Sequence, residues 1–272
     1  MAAYETVLYS ESDGVVTVTL NRPEALNAFN AQMQRELRDI WTSLRRSRSA
    51  RCVVLTGAGN RAFCAGVDRL EAFGGQIPPD ERINGERSSP FHFDDLGAWI
   101  GPKSCDLWLP VIAAVNGMAC GGAFYMLGES DIVIAAETAT FFDPHLTYGL
   151  SAAYESIHML QKMPFHEVAR MALLGASERM SARRAYEIGF ASEVVPDDDL
   201  AAKAAELAAV IASYETIPVQ ATVRSMWLGK ELSRHEALSL ASAMVALGNH
   251  AENKAAGQRD FNAGRRPGWR LR

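Results

Sequence analysis

The 272-residue chain carries 27 basic and 32 acidic side chains, which gives a formal net charge of -5. This acidic balance argues against broad binding to nucleic acid or to anionic membranes, and no apolar run approaches the roughly 20 residues of a membrane span. The four cysteines, Cys52, Cys64, Cys105 and Cys120, show no CxxC spacing, which predicts free thiols in a reducing compartment. The N-terminal segment lacks a basic region followed by an apolar core, so we predict no signal peptide and a cytoplasmic location.

The first half of the chain alternates predicted strands with predicted helices. The segment VVTVTL (15–20) alternates Val and Thr as a half-buried strand does, and a helical pattern follows Asn30, which is placed to cap it. The runs CVVLT (52–56), PVIAAVNG (110–117) and DIVIAA (131–136) are continuously apolar, which is typical of buried parallel strands. This order predicts an α/β core.

The second half of the chain is predicted to be mainly helical. From Ala152 onward the apolar residues follow helical spacing, and SEVV (192–195) is the only clear strand. Residues 74–93 are polar and rich in Gly and Pro, which predicts a mobile loop that borders a binding site. We therefore expect a core at residues 1–196, with the site, and a helical oligomerisation region at residues 197–272.

A first glycine-containing segment follows the strand at 52–56. Gly57-x-Gly59-x-x-Ala62 resembles a dinucleotide fingerprint, which requires a helix directly after the glycines and an acidic residue about twenty positions later. Gly66 interrupts such a helix, and the acidic residues at the right distance lie in the polar loop. A turn at the end of the strand is the favoured interpretation.

Two further segments place backbone N–H groups where a ligand oxygen can reach them. In AFCAGVDRL (62–70), Gly66 permits a close approach and Asp68 is placed to cap a short helical turn. In NGMACGGAFYM (116–126), Gly121 and Gly122 stand where a strand becomes a helix, so free N–H groups and the positive end of the helix dipole coincide. Each motif alone is explained by a structural turn or close packing. Together they favour an oxyanion hole.

Four segments in chain order resemble the crotonase, or enoyl-CoA hydratase/isomerase, superfamily. They are TLNRPEALNAFN (19–30), AFCAGVDRL (62–70), VNGMACGGAFYML with SDIVIA (115–135), and SARRAYEIGFASEVV (181–195). The resemblance implies an α/β fold, a spiral of ββα units with a helical C-terminal trimerisation region, assembled as a homotrimer or a dimer of trimers. It also implies acyl-CoA thioester substrates, with coenzyme A as part of the substrate, no separate cofactor and no metal.

The resemblance assigns roles to residues by their position in these motifs. The oxyanion-hole N–H groups belong to Val67 and Gly122. The implied substrate and CoA contacts are Leu26, Ala65, Asp68, Phe261 and Arg265. The last two match a C-terminal region that reaches the CoA of a neighbouring subunit, and Arg22 is a further candidate for a phosphate contact.

The chain departs from the family pattern at the two positions where the family carries catalytic glutamates. These positions hold Tyr125 and His145, which puts ordinary hydration in doubt. His145 is the favoured proton-transfer residue, because imidazole titrates near neutral pH, with Tyr125 assisting; the alternatives are a histidine in the pocket wall and a core aromatic. Glu155 is an alternative acid or base, or else part of a solvated helix face.

The sequence therefore predicts an acyl-CoA-processing enzyme, a lyase or isomerase of the kind found in fatty acid metabolism, that stabilises a thioester enolate. The alternatives are an enoyl-CoA isomerase, a CoA-ester hydrolase and a non-catalytic acyl-CoA-binding protein. The expected partners are the acyl-CoA substrate and further copies of the chain, with no nucleic acid and no membrane.

Overall fold

The computed structural model describes residues 4–73, 96–264, 268–269 and 271. The predicted loop at 74–93 and Arg265 lie outside the described residues. In chain order the strands are β1 (Val7–Ser12), β2 (Val15–Leu20), β3 (Cys52–Gly57), β4 (Ala62–Cys64), β5 (Val111–Val115), β6 (Met118–Cys120), β7 (Ile132–Ala136), β8 (Thr140–Phe142), β9 (Met180–Ser181) and β10 (Glu193–Val195). The helices are α1 (Ala31–Leu44), α2 (Arg69–Phe73), α3 (Ala123–Gly128), α4 (Tyr154–Leu160), α5 (Phe165–Leu174), α6 (Ala182–Glu187), α7 (Leu200–Ala212), α8 (Thr216–Glu231), α9 (Arg234–Gly248) and α10 (Ala251–Asn262).

The larger sheet has the strand order β1-β2-β3-β5-β7-β10. β1 and β2 form an antiparallel hairpin, and the strands from β2 to β10 pair in parallel. The hairpin turns at Asp13 and Gly14, whose positive φ angles of 51° and 80° are those of a two-residue turn that matches strand twist. In β2 the alternate residues Val16, Val18 and Leu20 are buried, which confirms the predicted half-buried strand.

The smaller sheet has the order β4-β6-β8-β9, and its first three strands are parallel. The predicted strand at 110–117 was too long: β5 ends at Val115, and the chain crosses to the second sheet as β6. Asn116 holds this corner, because its side chain accepts from the Gly57 N–H and donates to the Gly59 carbonyl. The prediction of a single strand after Ala152 was also wrong, because the structure has a second strand there, β9. This strand spans only two residues, which is too short to show an alternating pattern in the sequence.

Helix α1 covers one face of the larger sheet. The Asn30 side chain accepts from the Met33 N–H at 2.9 Å, which confirms the predicted cap. The face that includes Leu37, Ile40 and Trp41 is fully or almost fully buried in the main core, and the Trp41 indole donates to the Ile100 carbonyl at 3.0 Å. The four cysteines are buried free thiols, as predicted.

Of the helices after β10, α7 packs on the larger sheet, and α8 contacts the segment before β7 through Trp227, whose indole donates to Asp131. Leu200, Ala204 and Ala208 of α7 recur every fourth residue and pack against β3, β5 and β7. Helices α8 and α9 pack on each other. The boundary between residues 196 and 197 stays a prediction. Among the described helices, none combines the length and apolarity that a membrane crossing requires.

Candidate active site

The site is built where three neighbouring parallel strands of the smaller sheet end. β4 leads into Gly66 and Val67, β6 leads into Gly121 and Gly122, and β8 leads into the segment that carries His145. Because β4, β6 and β8 are adjacent and parallel, their carboxyl ends meet at one edge. The sheet therefore brings together segments that are separated by more than seventy residues of sequence.

Val67 forms a β-bridge with Phe29, but its own backbone N–H points away from Phe29. Phe29 and Val67 form a parallel bridge, in which the Phe29 N–H donates to the Gly66 carbonyl at 2.9 Å and the Asp68 N–H donates to the Phe29 carbonyl at 2.9 Å. In this pattern the N–H of the central residue points to the opposite side. Within the described part of the chain, the Val67 N–H has no acceptor.

The second free N–H belongs to Gly122, the residue that precedes α3. It also donates to no acceptor among the residues that the structure describes. Gly66, with φ +85°, lies so close that a Cβ atom there would be 2.9 Å from the Gly122 nitrogen, and a Cβ on Gly122 would meet the Phe29 ring at 2.6 Å. Glycine at both positions therefore lets the two amide-bearing segments approach each other.

Both segments line one cavity together with several titratable and apolar side chains. The described residues that line it are Phe29, Ala65, Gly66, Val67, Arg69, Gly121, Gly122, Tyr125, Pro144, His145, Tyr148, Leu150 and Glu155. Most of its lining surface is apolar, and a few polar groups converge on it, which is the usual character of a small-molecule site.

His145 is held by Asp143, which is completely buried. One Asp143 oxygen, Oδ1, accepts from the His145 backbone N–H at 2.9 Å and lies 2.8 Å from the ring Nδ1. This carboxylate therefore favours the ring form with a proton on Nδ1 and leaves Nε2 to face the cavity side.

Glu155 lies on the other side of the His145 ring. Its Oε1 atom is 3.6 Å from His145 Nε2, and its carboxyl group is hydrogen-bonded to Tyr125. Glu155 is only 4% exposed, so its interpretation as part of a solvated helix face was wrong. The spacing of apolar residues in the sequence did not predict this burial. It results from the packing of α4 against α3, which carries Tyr125.

The environment raises the pKa values of both groups. The hydrogen bond to Asp143 raises the pKa of His145, burial opposes this effect, and the charges of Asp143 and Glu155 add to it. Burial raises the pKa of the Glu155 carboxyl, although its backbone hydrogen bond, His145 and Tyr125 each act in the opposite direction. Two proton-exchanging groups with shifted pKa values in one cleft are typical of an acid–base site.

The same three side chains form a potential set of metal ligands. Asp143, His145 and Glu155 each offer a ligand atom within 4.8 Å of the others. Asp143 Oδ1 is already used by two N–H groups of His145, which suits a proton network better than a metal centre.

The predicted CoA-side residues form a connected framework beside the cavity. The Ala65 N–H donates to the Leu26 carbonyl at 3.0 Å. Asp68 accepts from the N–H groups of Leu70 and Glu71, as the predicted cap does, and forms an ion pair with Arg22 at 2.9 Å. Arg22 is therefore partly occupied by protein groups.

Other predicted residues are not brought to the cavity. Phe261 lies in α10, is 59% exposed and does not line the cavity of its own chain. Sequence reasoning gave no role to Asp143 or to Arg69, which lies in the cavity wall. The spacing Asp-Pro-His was a usable signal for Asp143, since it places the carboxylate two residues before the imidazole.

Comparison with known proteins agrees with this geometry. Residues 10–272 match the family model described as enoyl-CoA hydratase/isomerase. The chain is 32% identical over 261 residues to (E)-benzylidenesuccinyl-CoA hydratase of Thauera aromatica, covering 95% of this chain and 96% of that protein. It is 36% identical over 217 residues to 1,2-epoxyphenylacetyl-CoA isomerase of Escherichia coli, covering 78% of each.

Solved structures show the same fold. The crystal structure of an enoyl-CoA hydratase/isomerase from Mycobacterium paratuberculosis matches with a TM-score of 0.87 and 37% identity, over 99% of this chain and 100% of that one. An enoyl-CoA hydratase from Bacillus anthracis matches with a TM-score of 0.84 and 27% identity, over 97% and 99%. The chain belongs to the enoyl-CoA hydratase/isomerase family and has the crotonase fold, and it is an acyl-CoA-processing protein of that family.

Proposed function

We propose that this protein adds water reversibly to an enoyl-CoA thioester, using an oxyanion hole formed by the Val67 and Gly122 amides and a proton-transfer pair formed by His145 and Glu155. One observation carries the proposal: the two titratable groups line the same cavity as the two amides, which have no acceptor among the described residues. The pair takes the place of the two glutamates that the family pattern carries at positions 125 and 145.

The two amides supply the electrostatic part of the mechanism. When a nucleophile adds at the β-carbon, negative charge moves onto the thioester oxygen and an enolate forms. Two N–H groups that point at this oxygen stabilise the enolate more than the neutral thioester, and removal of one such donor typically costs about 2.7–4 kcal/mol. Since both donors are backbone groups, a valine at position 67 serves as well as any other residue.

The side chains supply the proton transfers. In the hydration direction, His145 Nε2 accepts a proton from water as the water oxygen bonds to the β-carbon. Asp143 holds the Nδ1 proton and stabilises the imidazolium that forms. Glu155, which burial favours in its protonated form, then donates its proton to the α-carbon and completes the addition. The proton on His145 Nε2 passes to Glu155 Oε1, 3.6 Å away, and restores both groups for the next cycle. Tyr125 orients the Glu155 carboxyl by their hydrogen bond.

Double-bond isomerisation is the second candidate. The 3.6 Å between His145 Nε2 and Glu155 Oε1 favours it, because two groups this close are placed to act as one proton shuttle between neighbouring carbons. The two relatives favour hydration, because one is a hydratase and the other isomerises an epoxide rather than a carbon–carbon double bond. Hydration is preferred because the site holds two titratable groups rather than one.

The remaining features of the proposal concern CoA and assembly. We propose that the CoA lies along Leu26 and Ala65, whose backbones are hydrogen-bonded to each other, because Ala65 lies two residues before the Val67 amide. Coenzyme A enters as part of the substrate, with no separate cofactor. Exposed apolar side chains on the C-terminal helices, including Leu240, Val245 and Leu247, suit burial between copies in a homotrimer or a dimer of trimers.

The test is turnover of crotonyl-CoA, followed by loss of the conjugated enoyl-thioester absorbance. The wild type is compared with His145→Ala, Glu155→Gln and the control His166→Ala, an exposed histidine that does not line the cavity. We expect both cavity variants to lose about a hundredfold or more in kcat, because a positioned acid or base contributes that much, and the control to keep its rate.

Other outcomes assign the function differently. Consumption of a 3-enoyl-CoA with no hydration of crotonyl-CoA establishes the isomerase instead, and release of free thiol establishes a hydrolase. Thermal stabilisation by acyl-CoA without any turnover establishes a non-catalytic binder, since a ligand that binds the folded state raises stability by mass action.

A further inference from the structure

Arg69 occupies a distinctive position in the cavity wall. It is the first residue of α2 and follows the Val67 amide by two positions. Its guanidinium carbon lies 3.9 Å from the centre of the Tyr148 ring, which approaches from the segment after β8. Arg69 and Tyr148 are exposed and line the cavity, so they form its solvent side.

The nearest carboxylates in sequence are committed to other partners. Asp68 forms its ion pair with Arg22 and caps α2. Glu71 accepts from the Ala31 N–H at 2.8 Å. Across the described ranges of the chain, no carboxylate forms an ion pair with Arg69. Among the described residues, Arg69 therefore contacts an aromatic ring and no opposite charge.

Stacking determines which part of the guanidinium is available. A guanidinium carbon 3.9 Å from the ring centre is at the distance of a face-to-face contact, in which the N–H bonds lie in the plane of the group and point outward from its edges. A fixed guanidinium with free edges matches the two oxygens of a carboxylate, to which it donates two parallel hydrogen bonds. The Tyr148 contact restricts the side chain before a ligand arrives, which lowers the entropy cost of binding.

The charges of the cavity are distributed unevenly. Asp143 and Glu155 lie beside His145, so an ionised carboxyl group in this part of the cavity repels an anion. The positive charge of Arg69 lies on the wall that carries Val67. An acyl group with an anionic substituent is therefore driven to one orientation, with its charge at Arg69 and its reacting carbons towards His145 and Glu155.

We infer that Arg69, stacked on Tyr148, is a specificity-determining residue that binds a carboxylate on the acyl group, so that the preferred substrates are CoA monothioesters of dicarboxylic acids. This inference rests on the proposed function for the position of the thioester. A phosphate of CoA is the other anion that Arg69 can meet, and the two differ in a measurable way: a phosphate contact strengthens the binding of every acyl-CoA equally.

The test measures binding by calorimetry, with saturated esters that the enzyme cannot hydrate. The dicarboxylic probes are succinyl-CoA and glutaryl-CoA, and their uncharged isosteres are 4-methylpentanoyl-CoA and 5-methylhexanoyl-CoA. The variants are Arg69→Met, which keeps the length and removes the charge, Arg69→Lys, which keeps the charge and removes the planar fork, and Tyr148→Leu. The control is Arg46→Met, an exposed arginine outside the cavity.

We expect the wild type to bind at least one dicarboxylic ester about tenfold or more tightly than its isostere, in line with hydrogen bonds between charged groups. Arg69→Met should abolish the preference while leaving the isostere unchanged, which also shows that the variant is folded. Arg69→Lys and Tyr148→Leu should reduce the preference, and Arg46→Met should keep it.

Two outcomes overturn the inference. One is the absence of any preference in the wild type, and the other is an equal loss for charged and uncharged esters in Arg69→Met, which assigns Arg69 to a CoA phosphate. Because the readout is binding, a failure of the proposed reaction, seen as lack of turnover, stays separate from a failure of this inference.

Discussion

His145 Nε2 lies 3.6 Å from Glu155 Oε1, although the two residues are ten positions apart and the start of α4 lies between them. The cavity thus contains a carboxyl group, although Tyr125 and His145 stand at the two positions where the family pattern has glutamates. The carboxyl arrives from α4, and Asp143 adds a second one behind the imidazole. The site therefore contains enough titratable groups for two proton transfers.

The role of Asp143 in positioning His145 leads to a first prediction. Asp143→Asn should lower kcat by about a hundredfold, because the ring loses the partner that fixes its Nδ1 proton. The same change should lower the pKa of His145, since the Asp143 hydrogen bond is the main cause of its elevation. Turnover assays and an NMR titration of the histidine measure the two effects, and an unchanged His145 pKa would contradict the assigned role.

A second prediction concerns stability and pH. The pKa of Glu155 is raised above its usual 4.5 and that of His145 above 6.5. Between the unfolded-state and folded-state pKa values of each group, the folded state therefore binds more protons than the unfolded state. The contribution of the pair to the free energy of unfolding falls as pH rises through the folded-state pKa values.

Glu155→Gln removes the carboxyl contribution to this dependence. We expect the decline in the free energy of unfolding between pH 4.5 and the folded-state pKa values to become less steep. Urea unfolding at a series of pH values measures the slope. The exposed Glu252→Gln serves as control and should keep the wild-type slope; a steeper decline in Glu155→Gln would show that the sign is wrong.

The close approach of the two amide segments gives a third prediction. Gly66→Ala combines a positive φ with a Cβ atom 2.9 Å from the Gly122 nitrogen, whereas Gly189→Ala has a similar φ and no atom within 4 Å. Both changes carry the left-handed cost of about 1–2 kcal/mol. Gly66→Ala should be further destabilised and should also lose activity.

Denaturant unfolding and kcat/KM are measured for both alanine variants. The comparison separates the cost of the positive φ, which both variants share, from the steric contact with Gly122, which only Gly66→Ala makes. Equal destabilisation with equal activity would show that the approach of Gly66 to Gly122 has no role in the site. Selective loss in Gly66→Ala supports an oxyanion hole whose geometry depends on this contact.

A fourth prediction concerns assembly. Val245 and Leu247 of α9 are 56% and 61% exposed, and Phe261 of α10 is 59% exposed. We expect the purified protein to have a native mass of three chains or a multiple of three, with these side chains buried between copies. Leu247→Asp and Phe261→Asp should shift the mass towards the single chain in light-scattering measurements.

The control for the assembly prediction is Leu8→Asp, which changes a 52%-exposed leucine on β1. This variant should keep the native mass of the wild type. A wild type that is monomeric at all concentrations would refute the prediction.

The sequence determined the features that depend on a few neighbouring residues. The Asn30 and Asp68 caps, the alternating burial of β2 and the glycines at positions 66 and 122 follow from local backbone chemistry. The resemblance of four segments to the crotonase superfamily implied the fold, which the solved structures confirm. The short strands β6 and β9 were missed, because two or three residues carry no readable period.

Only the tertiary structure decided which side chains meet in the cavity. The burial of Glu155 depends on how α4 packs against α3, and the stacking of Arg69 on Tyr148 joins segments that lie 79 positions apart, from 69 to 148. Local sequence reports backbone conformation, whereas the pKa of a side chain and the partner of a charge depend on burial and on distances across the fold. For this reason the sequence alone indicated the two glycine-containing segments of the cavity, whereas the arrangement of its titratable side chains appeared only in the tertiary structure.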